Sequence, residues 1–224
     1  RDRFGVDFGI WDYTGNPNIS LPLNSSSFSS GTGGTVSDDG DQIVFTLDGT
    51  KLTKYKVGTQ TPLVHGKTYT ISCEILLESD FVGDPSNIKL QHSFLPGGTI
   101  VLQTTTIPSN TLSVWQKLQG TAIINYGSGK PSQWYSVFTN IASNTITGHI
   151  RLRNVKIEEA CTATPYQPNL LVAPYYLSKV ALGENIASPV TFPINTSEYM
   201  VKNFSLTEPY KACLLYTSDA ADDL

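Results

Sequence analysis

The chain has 224 residues, of which 15% are charged, with 15 basic and 19 acidic side chains, a formal charge of -4, 18 glycines and 13 prolines. An average soluble protein is about 25% charged, so this composition belongs to a turn-rich, all-β chain. No Lys/Arg cluster offers the footprint a phosphate backbone needs, and no apolar run reaches the length of a membrane span, which speaks against nucleic acid as a partner and against membrane insertion.

Arg1-Asp2-Arg3-Phe4 reads neither as a translation start nor as a signal peptide, so the chain reads as an internal fragment. Residues 14–41 are dominated by Ser, Gly, Thr, Asn and Asp, a composition that favours loop. Residues 1–34 are therefore expected to be a flexible lead-in or the end of a preceding unit, ahead of a module over 35–160. Within that module short apolar-alternating runs recur between turn signals: 42–48, 52–57, 68–78, 87–94, 112–125, 133–140 and 149–158. The third is the clearest, with Tyr69, Ile71, Cys73 and Ile75 on one face and Thr70, Ser72 and Glu74 on the other. In the last, Ile150, Leu152, Asn154 and Lys156 alternate with Arg151, Arg153, Val155 and Ile157, so both faces are mixed and neither is assignable inward. Asp48-Gly49, Pro96-Gly97-Gly98 and Tyr126-Gly127-Ser128-Gly129 read as hairpin-like connections, and no stretch carries a capped helical period. The expected fold class is all-β: an antiparallel two-sheet β-sandwich of the jelly-roll type.

Residues 161–175, which hold three prolines, read as an extended linker. Residues 176–212 read as the start of a truncated second module or stalk, because Glu208-Pro209-Tyr210-Lys211-Ala212 resembles the approach to the third strand at Thr61-Pro62-Leu63-Val64-His65. Residues 213–224, beginning Cys213-Leu214-Leu215-Tyr216-Thr217-Ser218-Asp219, resemble translated sequencing-adapter DNA and are set aside as an artefact of a metagenomic fragment. Without Asp219, Asp222 and Asp223 the acidic excess nearly vanishes, and two cysteines, Cys73 and Cys161, remain, too few for a disulfide framework.

The segment from Thr61 through His65-Gly66-Lys67-Thr68-Tyr69-Thr70-Ile71-Ser72, a Trp115 leading into a strand, and Ile150-Arg151-Leu152-Arg153-Asn154-Val155-Lys156-Ile157-Glu158 together resemble the jelly-roll carbohydrate-binding modules of the cellulose- and xylan-binding type. The sequel Ala163-Thr164-Pro165-Tyr166-Gln167-Pro168-Asn169 is similar to the exit of such modules in tail, baseplate and minor structural proteins of bacteriophages. The resemblance covers about residues 35–170. It implies a virion component that contacts bacterial surface polysaccharide, assembled as a homo-oligomer with other tail proteins. It also implies a structural calcium near the start of the module and the last strand, where an Asp commonly stands at the position of Asn154. Hard divalent cations want several oxygens, usually carboxylates, so the amide of Asn154 weakens that implication.

Saccharide sites on sheets need a flat aromatic face for the apolar side of a pyranose and amide groups for its hydroxyls. Trp134 and Tyr135, with Tyr126 shortly before them, are the aromatic candidates, and Gln91, His92 and Gln133 the polar ones. Neighbours on a strand point to opposite faces, so only one of Trp134 and Tyr135 faces the ligand. On this reading Trp134→Ala weakens polysaccharide binding without unfolding the domain, while Trp115 is expected to be structural.

Catalysis finds little support. His65, His92 and His149 are scattered singly, and no nucleophile elbow, phosphate loop or paired metal cysteines occur. Glu74 with Glu78, or Asp80 with Asp84, would have to converge across a cleft to act as a glycosidase pair. The expected product is thus a non-catalytic module, with two alternatives: the carbohydrate-targeting arm of a secreted or virion-borne glycoside hydrolase whose catalytic domain lies elsewhere, or a purely architectural tail domain.

Overall fold

The computed structural model describes residues 15–142, 144–170 and 172. The segments expected at 176–212 and 213–224 lie outside the described residues.

Among the described residues, ten strands follow a 3-10 turn at Ser25–Phe28: β1 Ser30–Thr32, β2 Thr35–Asp39, β3 Gln42–Asp48, β4 Thr53–Tyr55, β5 Thr68–Leu77, β6 Ile88–Leu95, β7 Thr99–Gln103, β8 Trp115–Ile123, β9 Gln133–Asn140 and β10 Thr147–Glu158. They form two five-stranded sheets, the first in the order β1-β4-β9-β6-β7 and the second β2-β3-β10-β5-β8. All the strand pairings are antiparallel. This is the jelly-roll sandwich expected from the spacing of the strands.

Of the three expected turns, Pro96-Gly97-Gly98 closes a hairpin, joining β6 to β7 within the first sheet. Asp48-Gly49 and Tyr126-Gly127-Ser128-Gly129 instead carry the chain from the second sheet to the first. A Gly-containing turn reverses the chain equally well at a hairpin or at the edge of a sandwich, so the local signal is the same.

The core lies between the sheets. Tyr69, Ile71, Cys73, Ile75 and Leu77 of β5 meet Ile88, Leu90 and Phe94 of β6 and Phe138 of β9, all buried in one apolar cluster. Phe45 stacks on Phe138 at 4.4 Å and takes the edge of Phe28 at 5.7 Å. Burying each such side chain contributes roughly 1.5 to 3 kcal/mol relative to exposure.

The last strand owes its mixed faces to a β-bulge. Arg153 pairs with Glu74 and Lys156 with Ser72, so three steps along β10 match two along β5. The extra residue is absorbed at Asn154, whose φ of 53° is left-handed, a conformation Asn tolerates better than most side chains. Ile150 and Leu152 point inward before the bulge, Val155 and Ile157 after it.

The compact unit spans Asp12–Asn169, wider than the module expected over 35–160. In the segment expected to be a flexible lead-in, Phe28 is buried and Asn24 caps the 3-10 turn by accepting from Ser27 N at 3.0 Å. Asn18 is buried too. Its amide nitrogen donates to Val155 O and Gln167 O, each at 3.0 Å, and its Oδ1 accepts from Ile157 N at 3.1 Å. In the segment expected to be a linker, Gln167 is buried and donates to Asn16 O at 2.7 Å. Both segments read as loops because, Phe28 apart, what they bury most fully is amides and hydroxyls, and those groups are paired.

Candidate functional site

Strand alternation divides five of the six candidate residues between the two faces of the first sheet, while Tyr126 lies in the connection from β8 to β9. Trp134 belongs to the inward row of β9 and is 5% exposed. Its ring lies 5.4 Å from His92, 5.3 Å from Phe94 and 5.9 Å from Tyr126. His92 is fully buried on β6, with Nε2 3.0 Å from Thr61 O; since a carbonyl only accepts, Nε2 carries the proton. Burial pushes the His92 pKa down to about 4, and the bond to Thr61 offsets only part of that. Tyr126, half-buried, packs on Phe94 and His65 and donates its hydroxyl to Leu63 O. Trp134 and His92 are thus buried and turned toward the second sheet, with half-buried Tyr126 packed against Trp134.

Tyr135, Gln91 and Gln133 lie on the opposite, outer face. Backbone register defines a row across all five strands there: Ser30 on β1, Tyr55 on β4, Val137 on β9, Gln91 on β6 and Gln103 on β7. The next row sets Tyr135 beside Ser93, and the one beyond it sets Gln133 beside Leu95. Tyr135 packs against Tyr55 with ring centroids 5.7 Å apart and planes inclined at 45°. Gln91 Nε2 donates to Gln103 Oε1 at 2.9 Å, which leaves Gln91 Oε1 and the Gln103 amide nitrogen for another partner. A Cβ built at Gly98, where φ is +63°, would lie 3.3 Å from the Tyr135 hydroxyl, so the β6–β7 turn passes beside that group.

Although they point away from the sandwich, Tyr135, Val137, Gln91, Ser93 and Thr139 are each less than 9% exposed. These outer-face side chains are therefore closely packed, with a Tyr pair at one side and an amide pair at the other. Burial, with a smaller contribution from Tyr55, holds the Tyr135 phenol above its usual pKa, so it is a neutral donor and acceptor. Tyr55 and Gln103 complete this arrangement and were not among the candidates. β7 leaves little trace in the sequence because its five residues follow the Gly-Gly turn directly, and Gln103 goes with it; Tyr55 lies in the run expected over 52–57, but nothing local pairs it with Tyr135.

Asn154 stands apart, on the outer face of the second sheet, where its amide donates to Glu74 Oε2 at 3.2 Å. Glu74 also accepts from Arg153 Nε at 2.7 Å, and the Arg153 guanidinium sits 3.8 Å over the Trp115 ring. An Asn that presents its nitrogen to a carboxylate offers no lone pair along that direction to a cation. Among the described residues no three His, Cys, Asp or Glu side chains gather as metal ligands. The carboxylates weighed as a glycosidase pair are engaged elsewhere: Glu78 with Arg151, Asp80 with His149 at 2.6 Å, and Asp84 with the backbone of Ser86 at 2.9 Å. Among the described residues no helix is long and apolar enough to cross a membrane.

No protein-family model and no curated protein matches the chain. Several solved structures are similar in fold. The tripod from the baseplate of bacteriophage Tuc2009 is 20% identical with a TM-score of 0.47, the match covering 69% of this chain and 59% of that one. The carbohydrate-binding module CBM6cm-2 of Cellvibrio mixtus lichenase 5A, solved with cellotriose, is 14% identical with a TM-score of 0.39 over 61% of this chain and 97% of that one. The CBM22-1 xylan-binding domain of Paenibacillus barcinonensis Xyn10C is 18% identical with a TM-score of 0.34 over 67% of this chain and all of that one. The chain thus spans about three-fifths of the tripod chain it matches, and the likeness to all three is one of architecture.

Proposed function

We propose that this is a non-catalytic binding module that takes a bacterial surface saccharide on the outer face of the first sheet. The observation that carries this reading is the outer face on which Tyr55 and Tyr135 pair at 5.7 Å, in rows adjoining the Gln91–Gln103 amide pair. Phenol rings cover the apolar face of a pyranose, and the free halves of the two amides, the phenols and Gln133 answer its hydroxyls. No carboxylate stands in these rows, so the face suits a neutral chain. Each site of this kind is weak, and a virion tail that presents many copies converts weak sites into firm adhesion. The virion setting, and with it a homo-oligomer alongside other tail proteins, rests on the sequence resemblance of residues 163–169.

The test is retention of the chain on a panel of insoluble glucans, xylan and bacterial cell-wall polysaccharide. Retention on one of them, lost in Tyr135→Ala and Tyr55→Ala but kept in Lys117→Ala on the other sheet, is the expected result. A folded chain retained on none of them, or retained equally by the Tyr135→Ala variant, overturns the proposal.

A further inference from the structure

We propose that the ammonium of Lys156 is the structural cation of this module, standing where the family resemblance implies calcium. Lys156 and Glu158 lie on the outer face of β10 just past the bulge, and both side chains are 0% exposed. Charges so far from water persist only when well paired. Lys156 Nζ donates to Thr164 Oγ1 at 2.6 Å and to Pro165 O at 2.8 Å, and lies 3.3 Å from Glu158 Oε2. Glu158 in turn accepts from Thr164 N at 2.8 Å and from Thr164 Oγ1 at 2.5 Å.

The same point gathers the start of the module. Asn16 N donates to Thr164 Oγ1 at 3.2 Å. A Cβ added to Gly15 would overlap the Thr164 side chain and lie 3.5 Å from Lys156 Nζ. One ammonium therefore sits where the entering segment, the last strand and the exiting segment meet, which is the work a structural metal does in joining distant stretches of backbone.

The donor set does not suit calcium. Calcium takes six to eight oxygens, several of them carboxylate. Among the described residues one carboxylate, one hydroxyl and one carbonyl converge here, and the ammonium already stands against that carboxylate. A divalent ion added to this pair would leave two excess positive charges away from water. Asn154, the position that would supply an oxygen in the family pattern, instead donates to Glu74.

The experiment is equilibrium unfolding of the full chain in chelator and in millimolar calcium, alongside Lys156→Met and the double variant Lys156→Met/Glu158→Leu. The unaltered chain should unfold at the same denaturant concentration in both buffers. Lys156→Met strands a buried carboxylate and should raise the unfolding equilibrium constant by about 100-fold or more, while the double variant, which removes both charges, recovers most of the loss. A calcium-dependent rise in the midpoint of the unaltered chain overturns the proposal, as does a Lys156→Met variant as stable as the unaltered chain or a double variant no better than the single one.

Discussion

Trp134→Ala tests the division of faces most directly. Trp134 is 5% exposed and touches three rings: His92, Phe94 and Tyr126. Truncating a buried Trp typically costs about 3 to 5 kcal/mol, the upper part of that range applying where neighbours cannot collapse into the space. Here the neighbours are held from behind, His92 by Thr61 O and Tyr126 by Leu63 O, so the cavity stays open. A loss of about 4 kcal/mol is expected, a large share of the 5 to 15 kcal/mol that stabilises a typical domain. Urea unfolding followed by far-ultraviolet circular dichroism reads it without relying on the tryptophan removed. A variant that loses less than about 1 kcal/mol yet no longer binds polysaccharide would show that Trp134 faces ligand, as one reading of the sequence has it.

Three further outcomes follow from the same geometry. Tyr135→Phe removes a hydroxyl on the outer face while keeping the ring on Tyr55, so polysaccharide retention should weaken while stability changes by no more than about 0.5 kcal/mol; a stability loss above about 1 kcal/mol would place that hydroxyl in the structural framework instead. His92 titrates near 4 when folded against an ordinary value of 6.5, so the unfolded chain binds a proton that the folded one refuses between those limits. Stability should therefore fall by about 3 kcal/mol as pH drops from 6.5 to 4, and His92→Gln, whose amide still reaches toward Thr61 O, should lose that slope in pH-dependent urea unfolding. Cys73 is buried and its thiol is pushed up chiefly by that burial, whereas Cys161 is exposed. Mass mapping after brief alkylation of the native chain should find Cys161 modified and Cys73 protected, with Cys73 reacting only under denaturant.

How far the sequence reveals this molecule depends on where its information is local. β3 and β9 run from Gln42 to Asp48 and from Gln133 to Asn140, within the expected limits; β3 buries one face with its period intact, whereas β9 is buried on both faces and is bounded by its turn signals. β2 has no such period: its burial is nearly uniform exposure, and it is held as an edge strand by register with β3 rather than by a core face. In β10 the alternation is present but changes phase at Asn154, and a reader who keeps one phase through the strand sees mixed faces. The three-residue step from Leu152 to Val155, between pairs spaced by two, is the trace of the bulge. The candidate face was half legible. Tyr135, Gln91 and Gln133 are accompanied by Tyr55 and Gln103 through cross-strand register, which runs from Tyr55 to Val137, from Val137 to Gln91 and from Gln91 to Gln103 and leaves no mark in the local segments.

The clamp around Asn18, Lys156 and Gln167 has a mechanical consequence. The chain enters the sandwich near Gly15 and leaves near Asn169 at one place, so the strands between form a closed loop on the path from one flank to the other. A pull on the flanks is met first by Asn18 on Val155 and Gln167, by Gln167 on Asn16, and by the Lys156 group, before any sheet is loaded. The outer face of the first sheet, where saccharide binding is proposed, takes no part in that clasp. If the proposed adhesion holds, a load applied through the two ends of this unit is expected to reach the polar clasp before the sheets and the outer face of the first sheet.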